Sequence, residues 1–198
     1  MGESNRNRKN INSFLSSLTE EEKVVYAVTQ DLVNKFIKPK GLHGACYRTS
    51  ILLNRILAKE YGIASKVVLG WINDGDDIFI SHAWLEVRGK KIDLMAERPQ
   101  VTKDRRGPTI ILDHVFKGRS NLSYSYHLNK TPEALAKDKS LIELKQGYEM
   151  LLAVKDAEHN RVARSISSED AMDAFLDECA YEGKDGYTYS RILNELSE

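Results

Sequence analysis

What this chain has little of narrows it early. Its 198 residues include only two cysteines, Cys46 and Cys179, far apart and forming no C-x-x-C pair. Two such thiols cannot build a structural zinc site, and a reducing compartment disfavours joining them as a disulfide. Charge of one sign is also missing: 29 Lys and Arg balance 29 Asp and Glu. That removes any global electrostatic reason to expect nucleic acid or an anionic membrane as partner. No apolar run approaches the roughly 20 residues that span a bilayer. The N-terminal stretch MGESNRNRKNINS lacks the apolar segment of a secretory signal, and Arg6 stands where N-myristoylation of Gly2 would want Ser or Thr. His114, His127 and His159 are scattered without metal-ligand spacing, so neither a metal nor a cofactor is expected. The remaining class is a cytoplasmic globular protein, long enough for one domain with a substantial core.

The chain divides into three stretches. Residues 1–13 read as a disordered tail, residues 14–130 as a mixed core, and residues 131–198 as a helical extension. Thr19 followed by three glutamates opens an amphipathic helix with Val24, Val28, Leu32 and Phe36 on one face, closed by Pro39. A second helix is predicted from about Cys46 to Tyr61, stopped by Gly62. SKVVLGWI (65–72), IFISHAWLEV (78–87) and KIDLM (91–95) read as antiparallel strands, separated by the turns NDGDD and RGKK. TIILDHVF (109–116) and LSYSYHL (122–128) are further strand candidates. Thr131 and Pro132 open a charged helical stretch to about Arg164. Ser167 with Asp170 resembles a capping box opening SEDAMDAFLDECA, and a last helix covers about Ser190 to Leu196. The turn Asp74, Asp76, Asp77 lacks calcium-loop spacing and reads as solvated; Arg105 and Arg106 read as surface residues, and Tyr124 and Tyr126 as packing.

Three residues carry chemistry. Cys46 is predicted at a helix N-terminus, where the helix dipole and free backbone N–H groups favour a thiolate. His82 lies on the second strand and Asp93 on the third, across the turn at Arg88–Lys91. In such a hairpin position 82 faces roughly 95 to 97, and cross-strand or diagonal neighbours are about 5–8 Å apart. A carboxylate there can orient the imidazole, and an imidazole near the thiol can take and return its proton. Each residue also has a plainer reading: Cys46 as a small buried hydrophobe, His82 as a satisfied strand residue, Asp93 as an ordinary residue after a turn. Trp84, two positions beyond His82, either walls the same site or packs in the core.

The pattern G-x-C-x-x-x-S-x-x-L-x-x-x-L (Gly44, Cys46, Ser50, Leu53, Leu57), then G-I-x-S-x-V-V-x-G-W, then S-H-A-W-L-E-V-x-G-K-x-I-D-L, resembles the core of the transglutaminase-like superfamily. That papain-like group includes transglutaminases, bacterial transglutaminase-like cysteine peptidases and lasso-peptide leader-processing peptidases. The likeness covers roughly residues 41–95. It implies an α+β fold with a nucleophile helix packed on an antiparallel sheet, Cys46 as nucleophile, His82 as acid and base, and Asp93 as orienter. In one respect the chain departs from the pattern. KPKGLHGA (38–45) has no Gln, Asn, Trp or Tyr to complete an oxyanion hole, leaving the backbone N–H of Cys46, with His43 either a second donor or a plain loop residue. The expected activity is acyl transfer from an amide of a protein or peptide substrate through a thioester. Peptidase or deamidase chemistry is favoured over transglutamination, because water is always present as acceptor. Arylamine N-acetyltransferases share the residue order, but contacts for acetyl-CoA are not identifiable. The alternative is a non-catalytic binding protein of the same fold whose helical tail docks a partner or caps the groove.

Overall fold

The protein is described from a computed structural model covering residues 2–99, 105–118, 120–178 and 188–197; Cys179 lies outside them. The architecture is α+β. Among the described residues seven α-helices surround a four-stranded antiparallel sheet and a separate two-stranded hairpin. None of these helices is long and apolar enough to cross a membrane.

Helix α1 (Gly2–Ser17) runs through most of the stretch where a disordered tail is expected, residues 1–13. Its last turn has an aromatic seat: Phe14 stacks on His114 at 4.3 Å and meets Tyr26 and Phe116 edge-on. The polar composition of the preceding residues gives no hint of that anchor. Helix α2 (Glu20–Asp31) opens on a reciprocal capping box, with Thr19 Oγ1 accepting from the Glu22 N–H and Glu22 Oε2 accepting from the Thr19 N–H. It buries Val25 and Val28 and continues through a π-helical turn (Leu32–Ile37) that buries Leu32 and Phe36, ending before Pro39.

Helix α3 (Cys46–Tyr61) has the predicted limits. Gly62 ends it in the left-handed conformation, its N–H returning to Ala58 and Leu57. Ile51, Leu52, Leu53, Ile56 and Leu57 are all essentially inaccessible, because strands cover one side of the helix and α6 (Glu169–Asp177) the other. Even Arg55 is buried on α3, where Asp173 and Glu169 of α6 neutralise it. The nucleophile candidate therefore sits at the head of the most enclosed element of the fold.

The sheet runs β3 (Lys90–Ile92), β2 (Ile80–Val87), β1 (Lys66–Asn73), β6 (Ser125–His127). A two-residue turn joins β2 to β3, with Arg88 and Gly89 both at positive φ. The single strand expected over 109–116 is a hairpin of β4 (Thr109–Ile111) and β5 (His114–Phe116), because Leu112 and Asp113 both take positive φ. Of the strand expected over 122–128, only Ser125–His127 pairs. The long helix expected to Arg164 is two, α4 (Pro132–Leu144) and α5 (Tyr148–Ser165), broken at Gly147, whose φ of 80° suits glycine. Ser168, not Ser167, caps α6 by accepting from the Ala171 N–H. The expected continuation of α6 through Cys179 lies outside the described residues. Helix α7 (Tyr189–Ser197) completes the order.

Gly70 shows how tightly the sheet is packed near its centre. It lies opposite His82, and a Cβ added there would stand 2.4 Å from the His127 carbonyl oxygen and 2.9 Å from the Trp84 ring. Gly70→Ala is therefore expected to destabilise the protein by about 1–3 kcal/mol through overpacking. The measurement is the urea midpoint, and an unchanged midpoint would show that both the His127 backbone and the Trp84 ring yield freely.

Candidate active site

The β2–β3 register pairs Leu85 with Ile92, which sets His82 opposite position 95 and makes Asp93 its diagonal neighbour on the same face. The strand ends at Ile92, but Asp93 is not loose. Its backbone N–H and carbonyl both pair with Ile110, each at 2.8 Å, so the second hairpin grips it. Its side chain, 2 % exposed, is fully engaged. Oδ1 accepts from the backbone N–H groups of Met95 (2.9 Å) and Ala96 (3.1 Å), while Oδ2 accepts from His82 Nε2 and the Tyr126 hydroxyl, each at 2.7 Å.

Cys46 is reached from the other side. Gly41 and Gly44 both take positive φ, which bends the approach to α3, and the Gly44 N–H is held by the Arg98 carbonyl at 2.9 Å. Ala45 offers no side-chain cap, so the first turn of α3 keeps the unpaired N–H groups inherent to a helix start. Cys46 is buried and lines, with His82, one cavity of about 350 Å³. With Nε2 committed to Asp93, Nδ1 is the imidazole nitrogen left for proton exchange with the thiol.

The electrostatics follow from this enclosure. Burial pushes the His82 pKa down, but the Asp93 charge, the Cys46 sulfur and the hydrogen bonds to both outweigh it and raise it to about 10. Burial pushes the Asp93 carboxyl up, and the His82 charge with the His82, Tyr126 and Met95 hydrogen bonds brings it below its ordinary value. Tyr126 is driven above the usual phenol range by burial and by the carboxylate it faces, so it remains a donor. The imidazole is thus held in its protonated form beside the thiol.

Two expected site residues do not reach the cavity. Trp84 is 3 % exposed and packs under Tyr126, ring to ring at 5.2 Å, with its indole N–H donated to Glu86. It shares the face of His82, yet the close approach over Gly70 directs it into the sheet rather than the groove. His43 is exposed and does not line the cavity. Of the remaining three, His82 bonds Asp93 and lines the same cavity as Cys46.

Other contributors were not legible in the sequence. Tyr126 follows a simple alternation with Tyr124, and no spacing marks its hydroxyl as a carboxylate donor. Helix α5 walls the cavity with Tyr148, Leu151, Leu152 and Lys155, although residues 131–198 carry no motif. It is fastened beside His82: Tyr47 donates to Ser81 at 2.6 Å, Ser81 meets His159 Nδ1, and His159 stacks on Trp71 at 4.7 Å. The cavity is therefore lined by residues from both sides of the expected division at residue 131. Arg105, expected at the surface, pairs with Asp74 and Asp76 of the acidic turn and also lines the cavity.

Replacing Asp93 by Asn is expected to lower the His82 titration midpoint markedly, because the largest raising influence disappears while burial remains. In the wild type, His82 is more basic folded than unfolded. Its stabilising contribution is therefore complete below the ordinary histidine value of about 6.5 and is lost as pH rises toward about 10. The imidazole Cε1 proton shift against pH reads the midpoint; equal midpoints in both proteins would refute the coupling. No protein-family model, curated protein or solved structure matches this chain.

Proposed function

We propose that this chain is a cysteine-dependent acyl-transfer enzyme of the transglutaminase-like, papain-like type, acting on amide bonds of a protein or peptide substrate. The observation that carries the reading is the buried His82–Asp93 hydrogen bond, with its imidazole sharing a cavity with a cysteine at a helix N-terminus. A carboxylate that raises the histidine pKa favours the state in which the proton has already passed from sulfur to the ring.

In this reading the Cys46 sulfur attacks the amide carbonyl carbon, and the carbonyl π electrons move onto oxygen. The backbone N–H of Cys46 and the open first turn of α3 supply the donors for that oxyanion. As the C–N bond breaks, the His82 proton passes to the departing nitrogen and a thioester remains. Water, giving a proton back to His82, then attacks the thioester carbon; the C–S bond breaks, the acid leaves and the thiol–imidazole pair is restored. Asp93 keeps the imidazole oriented through both halves. Hydrolysis, as in a peptidase or deamidase, needs no further acceptor; an amine in place of water would give transamidation.

A second reading is a non-catalytic binding protein. It is favoured by the exposed apolar side chains on the α4–α5 pair, among them Leu144 at 76 % and Met150 at 73 % exposure. Thiol chemistry separates the two. With limiting iodoacetamide at about pH 6, the enzyme reading expects selective alkylation of Cys46 over Cys179, since an activated thiolate reacts where ordinary thiols are protonated. His82→Ala is expected to slow this roughly 10²-fold or more, and Asp93→Ala to slow it less. Equal, sluggish labelling of both cysteines would favour the binding protein.

A further inference from the structure

Besides the His82 imidazolium, the cavity wall carries six charged side chains: Arg98, Arg105, Lys130, Lys155, Asp156 and Glu158. Five of them have opposite charges beside them. Arg105 is held by Asp74 and Asp76, Lys130 by Asp138 with Asp156 at 4.0 Å, and Lys155 by Glu158. Arg98 is the exception: it is half-buried and has no ion pair among the described residues. It therefore presents to the cavity a guanidinium whose charge no carboxylate of the described residues takes up.

Its backbone is fixed where a ligand would be read. The Arg98 N–H donates to the Met95 carbonyl at 2.9 Å, within the turn whose amides hold Asp93, and its carbonyl accepts from Gly44 at 2.9 Å, two residues before Cys46. Pro99 follows and restricts the chain further. The residue thus bridges the Asp93 turn and the loop that delivers the sulfur. A guanidinium matches a carboxylate through paired N–H donors, which gives orientation as well as attraction.

We infer that Arg98 is a specificity-determining residue that binds a carboxylate on the substrate close to the amide attacked by Cys46, so that the preferred substrates are acidic peptides. This rests on the acyl-transfer reading above. The carboxylate has two possible sources, an Asp or Glu side chain or a chain-terminal α-carboxylate, and paired reagents distinguish them. N-iodoacetyl-glutamate α-amide carries the side-chain form and N-iodoacetylglycine the terminal form; their uncharged mates are N-iodoacetyl-glutamine α-amide and N-iodoacetylglycinamide.

The experiment measures Cys46 alkylation rates for each pair on the full chain and takes the charged-to-uncharged ratio within each protein. In the wild type that ratio is expected to exceed that of Arg98→Gln by roughly tenfold for at least one pair, with Arg98→Lys between the two. The pair showing the effect names the source. Equal ratios in wild type and Arg98→Gln for both pairs would overturn the inference while leaving Cys46 reactivity intact. If no reagent labels Cys46, the acyl-transfer reading fails instead, and carboxylate binding is then judged separately. For that, Cys46→Ser is melted with millimolar N-acetyl-glutamate α-amide or N-acetylglycine against their uncharged amides. A rise in melting temperature with at least one acid, lost on adding Arg98→Gln, supports the carboxylate site; no difference overturns it.

Discussion

A single buried carboxylate organises much of this molecule. Asp93 is withdrawn from solvent, and an ionised carboxyl in that position is tolerable only if its lone pairs are met. They are met from four directions: two amides of its own turn, the histidine of the neighbouring strand and the tyrosine of the far edge strand. Satisfying those bonds fixes where β3 must end, how the Met95–Arg98 turn must curl, and how close β6 must approach β2's histidine. The main-chain pairing with Ile110 then ties the small hairpin to the same point. The constraint is electrostatic in origin and topological in effect.

How far the chain announces this arrangement depends on distance along it. The capped start of α2, the extent of α3 and the β2–β3 hairpin are local features, set by Thr19, Gly62 and the Arg88–Gly89 turn. They were therefore readable, and His82 with Asp93 came with the hairpin. Where the decisive contact is remote, the reading failed. Phe14 orders α1 against His114 and Phe116, a hundred residues later in the chain. Leu112 adopts positive φ inside what reads as an unbroken strand, and a leucine gives no warning of that. The placement of Trp84 followed the pleat correctly but not the space left by Gly70, which turns the indole inward. Tyr126 and His159 act singly from elements whose own periodicity is ordinary, so no pattern could select them.

The site is accordingly composite. Cys46 depends on α3, which is clamped between sheet and α6; His82 depends on Asp93; the outer wall depends on α5. The Tyr47–Ser81–His159 chain links the first turn of α3, strand β2 and α5 through three side chains, and Trp71 with Lys130 at 4.4 Å over its ring closes the same corner. Arg105 anchors the acidic turn to the rim in a similar way. Rigidity around the sulfur is thus shared among elements far apart in sequence.

The place of α5 in that wall has a consequence for how the protein comes into being. Synthesis proceeds from the N-terminus, so Cys46, His82, Asp93 and Tyr126 all leave the ribosome before residues 148–165. A nascent chain can pair its imidazole with its carboxylate while one side of the cavity is still missing. The pocket acquires its full shape only when α5 has been made and has folded back against the sheet.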